Sequence, residues 1–244
     1  KVCISYLEVY NEKIFDLLHA GDGGGELDIR EDKQRGVFVA GASEVLATSR
    51  DDVFAMLRRG GRARAVGETD MNARSSRSHT IFRATIEQVV TEVDASSSAG
   101  ASDGGGDGDA ARPASPQPKL ITRSKLNLVD LAGSEKWQTH QMSRMSGKQV
   151  SEMTAINRSL SALGNCIRAL SESGRSHIPF RDSKLTRLLA DSLGGNTRTA
   201  FIVTLSPALE AADESRMSLQ FASRAKRVAV HASVNKTVDD ASQL

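Results

Sequence analysis

Residues 2–10, Val2-Cys3-Ile4-Ser5-Tyr6-Leu7-Glu8-Val9-Tyr10, alternate apolar and polar side chains with the period of a half-buried strand. Asn11-Glu12-Lys13-Ile14-Phe15-Asp16-Leu17-Leu18 then reads as a short helical turn closing on the glycine-rich 21–25. Two strand-like pieces, around 27–30 and 36–39, flank the charged turn Glu31-Asp32-Lys33. Ser49 reads as a helix N-cap, because Asp51 and Asp52 occupy the first turn, where unpaired amides favour negative charge. That helix carries Val53, Met56 and Leu57 on one side and is expected to stop at Gly60-Gly61. A strand over 80–90 follows the polar stretch 66–79.

From 91 to 118 all periodicity is lost in a Ser, Gly, Asp and Pro-rich run. Such a composition cannot bury enough apolar area to offset the entropy of ordering, so it predicts a disordered insertion in a hairpin between strands. Lys125-Leu126-Asn127-Leu128-Val129-Asp130-Leu131 returns to buried-strand character. A long helix follows, with Val150, Met153, Ile156, Leu160, Leu163, Ile167 and Leu170 at three- and four-residue spacing, a stripe that reads as core packing. A second helix is predicted over about 182–193, with a left-handed C-cap at Gly194-Gly195. The run 200–205 reads as a strand buried on both faces and closed by Pro207. A last helix over 213–228 puts Met217, Phe221, Ala225 and Val228 on one side. Strands alternating with helices predict an α/β fold, a sheet covered on both faces.

Composition narrows the function. With 39% apolar and 25% charged residues, the 244-residue chain has ordinary globular usage, and one large domain is expected. No apolar run approaches the roughly 20 residues that span a bilayer. Cys3 and Cys166 form no Cys-x-x-Cys pair, so neither a disulfide framework nor a zinc knuckle is expected, and a reducing compartment fits. The histidines are scattered, with no i, i+4 pair, and no transition metal is assigned. Strand character from the first residues, without initiator Met or signal peptide, leads us to expect that the chain begins inside a domain. The net charge of +2 is small but uneven: Arg175, Arg181, Lys184, Arg187 and Arg198 stand against Asp182 and Asp191 over 175–198. Such a patch suits an acidic partner. Nucleic acid is disfavoured, because only Phe180 offers an aromatic platform there.

Two clusters carry candidate chemistry. An apolar strand ending in Asp130 places a carboxylate where nucleotide-binding α/β proteins hold Mg²⁺. Gly133, three residues on, lets a backbone N–H approach a terminal phosphate with no Cβ in the way. The second cluster, Asn72-Ala73-Arg74-Ser75-Ser76-Arg77-Ser78-His79, combines hydroxyls that can ligate Mg²⁺ with guanidinium groups that can pair with a carboxylate such as Glu135 or with phosphate. Taken singly, each also fits an ordinary turn, the second also a phosphorylation site.

Together they resemble the kinesin motor domain. Asn72–His79 is similar to the switch I pattern Asn-x-x-Ser-Ser-Arg-Ser-His, and 130–135 to the switch II pattern Asp-Leu-Ala-Gly-Ser-Glu. Ser5-Tyr6-Leu7-Glu8-Val9-Tyr10-Asn11-Glu12, the relay-helix run 156–164 and the tubulin-facing run 177–186 resemble the family in the same order, and Gly67-Glu68-Thr69 resembles kinesin-7 wording. The resemblance implies a three-layer P-loop NTPase fold with a central mixed sheet, using ATP and Mg²⁺. Residues 1–225 would be a partial motor domain and 226–244 the neck linker, ending its docking strand at Asn235, and the start of the tail. It implies that Ser76, and Asp130 through water, hold Mg²⁺; that Ser75 and the Gly133 amide sense the γ-phosphate; and that Arg77 and Glu135 close the switches, with Ser78, His79 and Asn157 beside them. Arg181, Lys184 and Arg187, with Arg30, Lys33 and Arg35, would face tubulin. The family also implies microtubules as partner, a homodimer through a coiled coil elsewhere in the protein, and a place in the cytoplasm on the cytoskeleton. No Gly-x-x-x-x-Gly-Lys-Ser/Thr occurs, so the phosphate cradle and the first strands are expected before Lys1, and these residues alone are expected to hydrolyse ATP negligibly. A non-catalytic microtubule-binding protein is the alternative.

Overall fold

The computed structural model describes residues 1–19, 25–32, 36–66, 74–91, 119–133, 147–172, 174–230 and 232–239. Strand β1 (Val2–Tyr10) is the spine of the sheet. On one edge it pairs antiparallel with β2 (Lys13–Asp16) and, nearer its start, with β5 (Val45–Ala47). On the other edge it pairs with β6 (His79–Thr91), which pairs with β7 (Lys119–Asp130), which pairs with β8 (Lys236–Asp239). A separate hairpin joins β3 (Asp28–Asp32) to β4 (Gly36–Ala40).

Alternation along the strands divides the core between two faces. Leu7, Val9 and Ile81 pack on one face against Leu163 and Ile167 of α2 (Gly147–Ser171), Leu185 and Leu188 of α3 (Lys184–Leu188), Leu193 of α4 (Ala190–Gly194) and Ala225 of α5 (Ala212–Ala225). Ile4 and Phe82 pack on the other against Val53, Met56 and Leu57 of α1 (Arg50–Val66). Each fully buried Leu or Ile contributes about 1.5–3 kcal/mol, so the two faces together fix the sheet between its helices. On the α1 face, Leu126 and Leu128 of β7 stay 54% and 53% exposed. The Ser49 cap forms as the sequence predicts: its hydroxyl accepts the Asp52 N–H, and Asp52 accepts from Thr48 and Ser49.

Several elements differ from the sequence expectation. Residues 11–18 are no helical turn: Asn11 and Glu12 take left-handed φ of 51° and 57°, making a two-residue hairpin turn of the hand that matches strand twist, and β2 follows. Helix α1 runs through Gly60-Gly61 instead of stopping there. A Cβ at Gly60 would lie 2.1 Å from the Tyr6 ring, so this glycine serves close packing and not termination. The helix expected over 182–193 is two short ones with Leu189 between them, and Gly195 is extended (φ −97°, ψ −160°), not left-handed. Residues 200–205 form no strand, since no strand among the described residues offers them a ladder, and Ile202 is 94% exposed. Helix α5 ends at Ala225, yet Val228 still packs on the first cluster. Strands β6 and β7 pair over a longer stretch than predicted, through Thr91↔Lys119. The insertion expected between them falls, from 92 onward, outside the described residues.

Gly60→Ala tests the packing role. On an exposed helix this change stabilises by about 1 kcal/mol, but here the methyl meets a ring held edge-on to Phe82 at 5.4 Å. We expect a loss of about 1–3 kcal/mol in chemical denaturation, and a gain would contradict the contact.

Candidate functional site

The chemistry gathers where β6 begins and β7 ends, because Thr80↔Asp130 register brings the two predicted clusters together. A 3-10 turn, Arg74–Arg77, leads into β6. The Gly133 N–H donates to the Ser76 carbonyl at 3.1 Å, so the loop after β7 is tied to this turn. In this arrangement the amide expected to sense phosphate is engaged by the turn itself. Ser76 is exposed.

Arg77 is 7% exposed, and its Nη1 lies 3.4 Å from Glu152 Oε2 on α2. The Tyr10 hydroxyl bonds the other oxygen of that carboxylate. Burial removes the water that would otherwise solvate the guanidinium, so a carboxylate opposite it is a physical necessity. Glu135, the partner the family pattern implies, lies outside the described residues, as do Asn72, Lys33, Arg35 and the side chain of Ser75. Asn157 is on α2 and exposed.

Ser78 is fully buried, with its hydroxyl 3.3 Å from Arg64 Nε and its carbonyl 3.2 Å from Nη2. Arg64 also donates to Asp130 Oδ2 at 3.0 Å, so the last turn of α1 clamps both clusters. His79, 2% exposed, accepts the Ala132 N–H at Nδ1 (2.9 Å) and faces Ser159 Oγ at Nε2 (2.8 Å). Burial pushes its pKa down to about 4; Asp130 acts against the shift and Arg64 with it.

A family model, the kinesin motor domain, matches residues 1–228. The chain belongs to the kinesin motor domain family. It is 44% identical over 232 residues to kinesin-related protein 5 of Dictyostelium discoideum, covering 95% of this chain and 20% of that protein. To kinesin-like protein KIN-7L of Oryza sativa subsp. japonica it is 46% identical over 244 residues, covering 99% and 34%. The chain thus spans only a minor part of the length of both relatives. A solved structure of a fast kinesin superposes with TM-score 0.76 at 41% identity, covering 100% of this chain and 60% of the other. A KIF14 dimer with AMP-PNP in complex with a microtubule gives TM-score 0.76 at 37% identity, covering 96% and 60%.

Within this kinesin fold Arg181, Lys184 and Arg187 of the basic run lie just before and within α3. Ser183 and Thr186 form a reciprocal capping box, and the Glu12 carboxylate accepts the Lys184 N–H at 2.9 Å. The left-handed hairpin turn therefore holds the helix that presents Lys184 and Arg187, both partly buried. Arg181 is exposed and 3.6 Å from Glu31, a surface pair of little energetic weight. Local spacing gave no sign of Glu152 or Arg64, and Tyr10 and Ser159 fall in the family-like runs 5–12 and 156–164 with no role assigned to either. A further signal is that Glu152 and Ser159 stand seven apart on α2, two turns on one side, as polar residues beside an apolar stripe.

The lowered pKa of His79 predicts acid sensitivity. The folded chain holds the ring neutral while the unfolded ring protonates near 6.5, so this stability is complete above pH 6.5 and is lost as pH falls toward 4. Thermal melts should lose on the order of 3 kcal/mol over that window from this group. His79→Gln should flatten that part of the curve, and an unchanged slope would contradict the burial.

Proposed function

We propose that the chain is the greater part of an ATP-driven microtubule motor head, residues 1–225, followed by a neck linker and tail start at 226–244. The observation that carries this is the buried seam in which Arg77 meets Glu152 while the loop at Gly133 is bonded to the same turn. A buried guanidinium keeps a carboxylate in every state, so its choice of partner can report what lies in the cleft. When a γ-phosphate draws the Gly133 amide and the Ser75 hydroxyl, the turn moves and Arg77 exchanges Glu152 for Glu135. Contacts to that phosphate worth a few kcal/mol suffice to shift a two-state loop, and α2, which loses Arg77, carries the change onward.

Asp130 and Ser76 fit a Mg²⁺ that takes most of its ligands from phosphate and water. Both are hard oxygen donors, and among the described residues no group of three or more His, Cys, Asp or Glu could hold a metal by itself. When bound, the ion neutralises charge on the phosphate oxygens. Asp130 is poised for this at the end of β7, and Arg64 orients it. The triphosphate cradle has to come from outside these residues, which contain no Gly-x-x-x-x-Gly-Lys-Ser/Thr.

Arg181, Lys184 and Arg187, joined by Lys33 and Arg35, face acidic tubulin; a microtubule complex in the same fold supports the transfer. A homodimer through a coiled coil elsewhere in the protein, acting in the cytoplasm on the microtubule cytoskeleton, completes the proposal.

Phosphate release by the full-length protein, with and without microtubules, tests it. Arg77→Ala and Glu135→Ala should each lower the stimulated rate about 100-fold or more, as loss of a charge placed for the transition state does. A rate indifferent to both ends the proposal, and microtubule binding with no turnover at all points instead to a non-catalytic binder.

A further inference from the structure

His79 sits among the nucleotide residues in the sequence pattern, but its ring is not in an open cleft. It is 2% exposed, and it joins three elements at once: the start of β6, the loop after β7 and helix α2. The direction of every bond in this chain is fixed by chemistry. A backbone N–H can only donate, so the Ala132 amide requires a lone pair on Nδ1, and the proton of the neutral ring must be on Nε2. Nε2–H therefore donates to Ser159 Oγ, and that hydroxyl donates to the Ile156 carbonyl at 2.8 Å, a group that can only accept. Ser159 is itself 2% exposed, so neither end can exchange its partner for bulk water.

One residue beyond Ala132, the Gly133 N–H is held by Ser76. Arg77 at the end of the 3-10 turn and His79 at the start of β6 thus grip α2 at Glu152 and Ser159, two turns apart on the helix. The arginine grip is ionic and can change partner. The histidine grip is a chain of neutral bonds with a single allowed polarity.

We propose that His79 is a positioning residue that, through the chain Ala132 N–H to His79 to Ser159 to the Ile156 carbonyl, fixes α2 to the phosphate-side loop so that movement of that loop moves the helix. The proposal rests on the motor reading for the origin of the movement, while the hydrogen-bonded chain stands without it. A ring held neutral by burial agrees, since imidazolium would set a second N–H against the Ala132 amide.

The test uses four variants of the full-length protein: S159A, H79N, the double variant and H79A. Asparagine can present its side-chain oxygen to the Ala132 N–H but cannot reach Ser159, so H79N and S159A break the same link. Microtubule stimulation of phosphate release should fall about fivefold in S159A and in H79N, the worth of one buried hydrogen bond, and no further in the double variant. S159A should leave the KM for ATP unchanged. If His79 only fills space, S159A keeps full stimulation, or the two losses add; either result overturns the coupling. Amide exchange and nitrogen-15 spectra of the wild type and H79A need no turnover. We expect an Nε2–H tautomer, and slow exchange at Ala132 that becomes fast in H79A. An Nδ1–H tautomer, or exchange unaffected by H79A, overturns the chain itself. A wild type that turns over no ATP would defeat the motor reading and leave this second arm in force.

Discussion

A guanidinium taken out of water has to keep a negative partner, and Arg77 is such a group at the seam between the sheet and the long helix. Its Glu152 contact crosses from the turn before β6 to α2 as an ion pair, and Tyr10 holds the far oxygen of that carboxylate. Removing one member of a buried pair costs several kcal/mol, whereas exchanging one carboxylate for another costs far less. Local structure and proposed mechanism both follow from that difference. In the proposed mechanism the turn, the loop at Gly133 and α2 rearrange by partner exchange, and none of them does so by leaving the arginine bare.

The surrounding fold makes the seam rigid enough for such an exchange to matter. Continuous register between β6 and β7 fixes His79 beside the end of β7, and Arg64 staples Asp130 and Ser78 from the last turn of α1. Helix α1 reaches that position because Gly60 lets it run past Tyr6 without a break. At the same end of β1, just past Val9, which faces His79, and Tyr10, which holds Glu152, the hairpin turn at Asn11 and Glu12 holds the start of α3 through the Lys184 amide. The hairpin end of β1 therefore connects the polar seam to the basic residues of α3 through the side chains of Tyr10 and Glu12.

Much of this was legible from local pattern. The stripe from Val150 to Leu170 specified α2, the alternation in 2–10 specified β1, and Ser49 with Asp52 specified the start of α1. Both site clusters were legible as motifs, and register brings the described parts of them together. What could not be read depends on distant partners. Glu152, Arg64 and Ser159 meet their partners 75, 66 and 80 residues away, where no spacing rule applies. Gly60 looked like a stop because its neighbour Tyr6 is invisible locally. Residues 200–205 have strand composition, but composition supplies no ladder. Asn11-Glu12 takes a turn that usually recruits glycine, and from it the Glu12 carboxylate reaches the start of α3.

The central claim concerns one distance in two states. Structures of the complete protein with and without a non-hydrolysable ATP analogue give the separation of the Arg77 guanidinium from Glu152 and from Glu135. The account predicts contact with Glu152 in the empty form and with Glu135 in the filled one, with Tyr10 still on Glu152. Arg77 remaining on Glu152 when the γ-phosphate position is filled would contradict it.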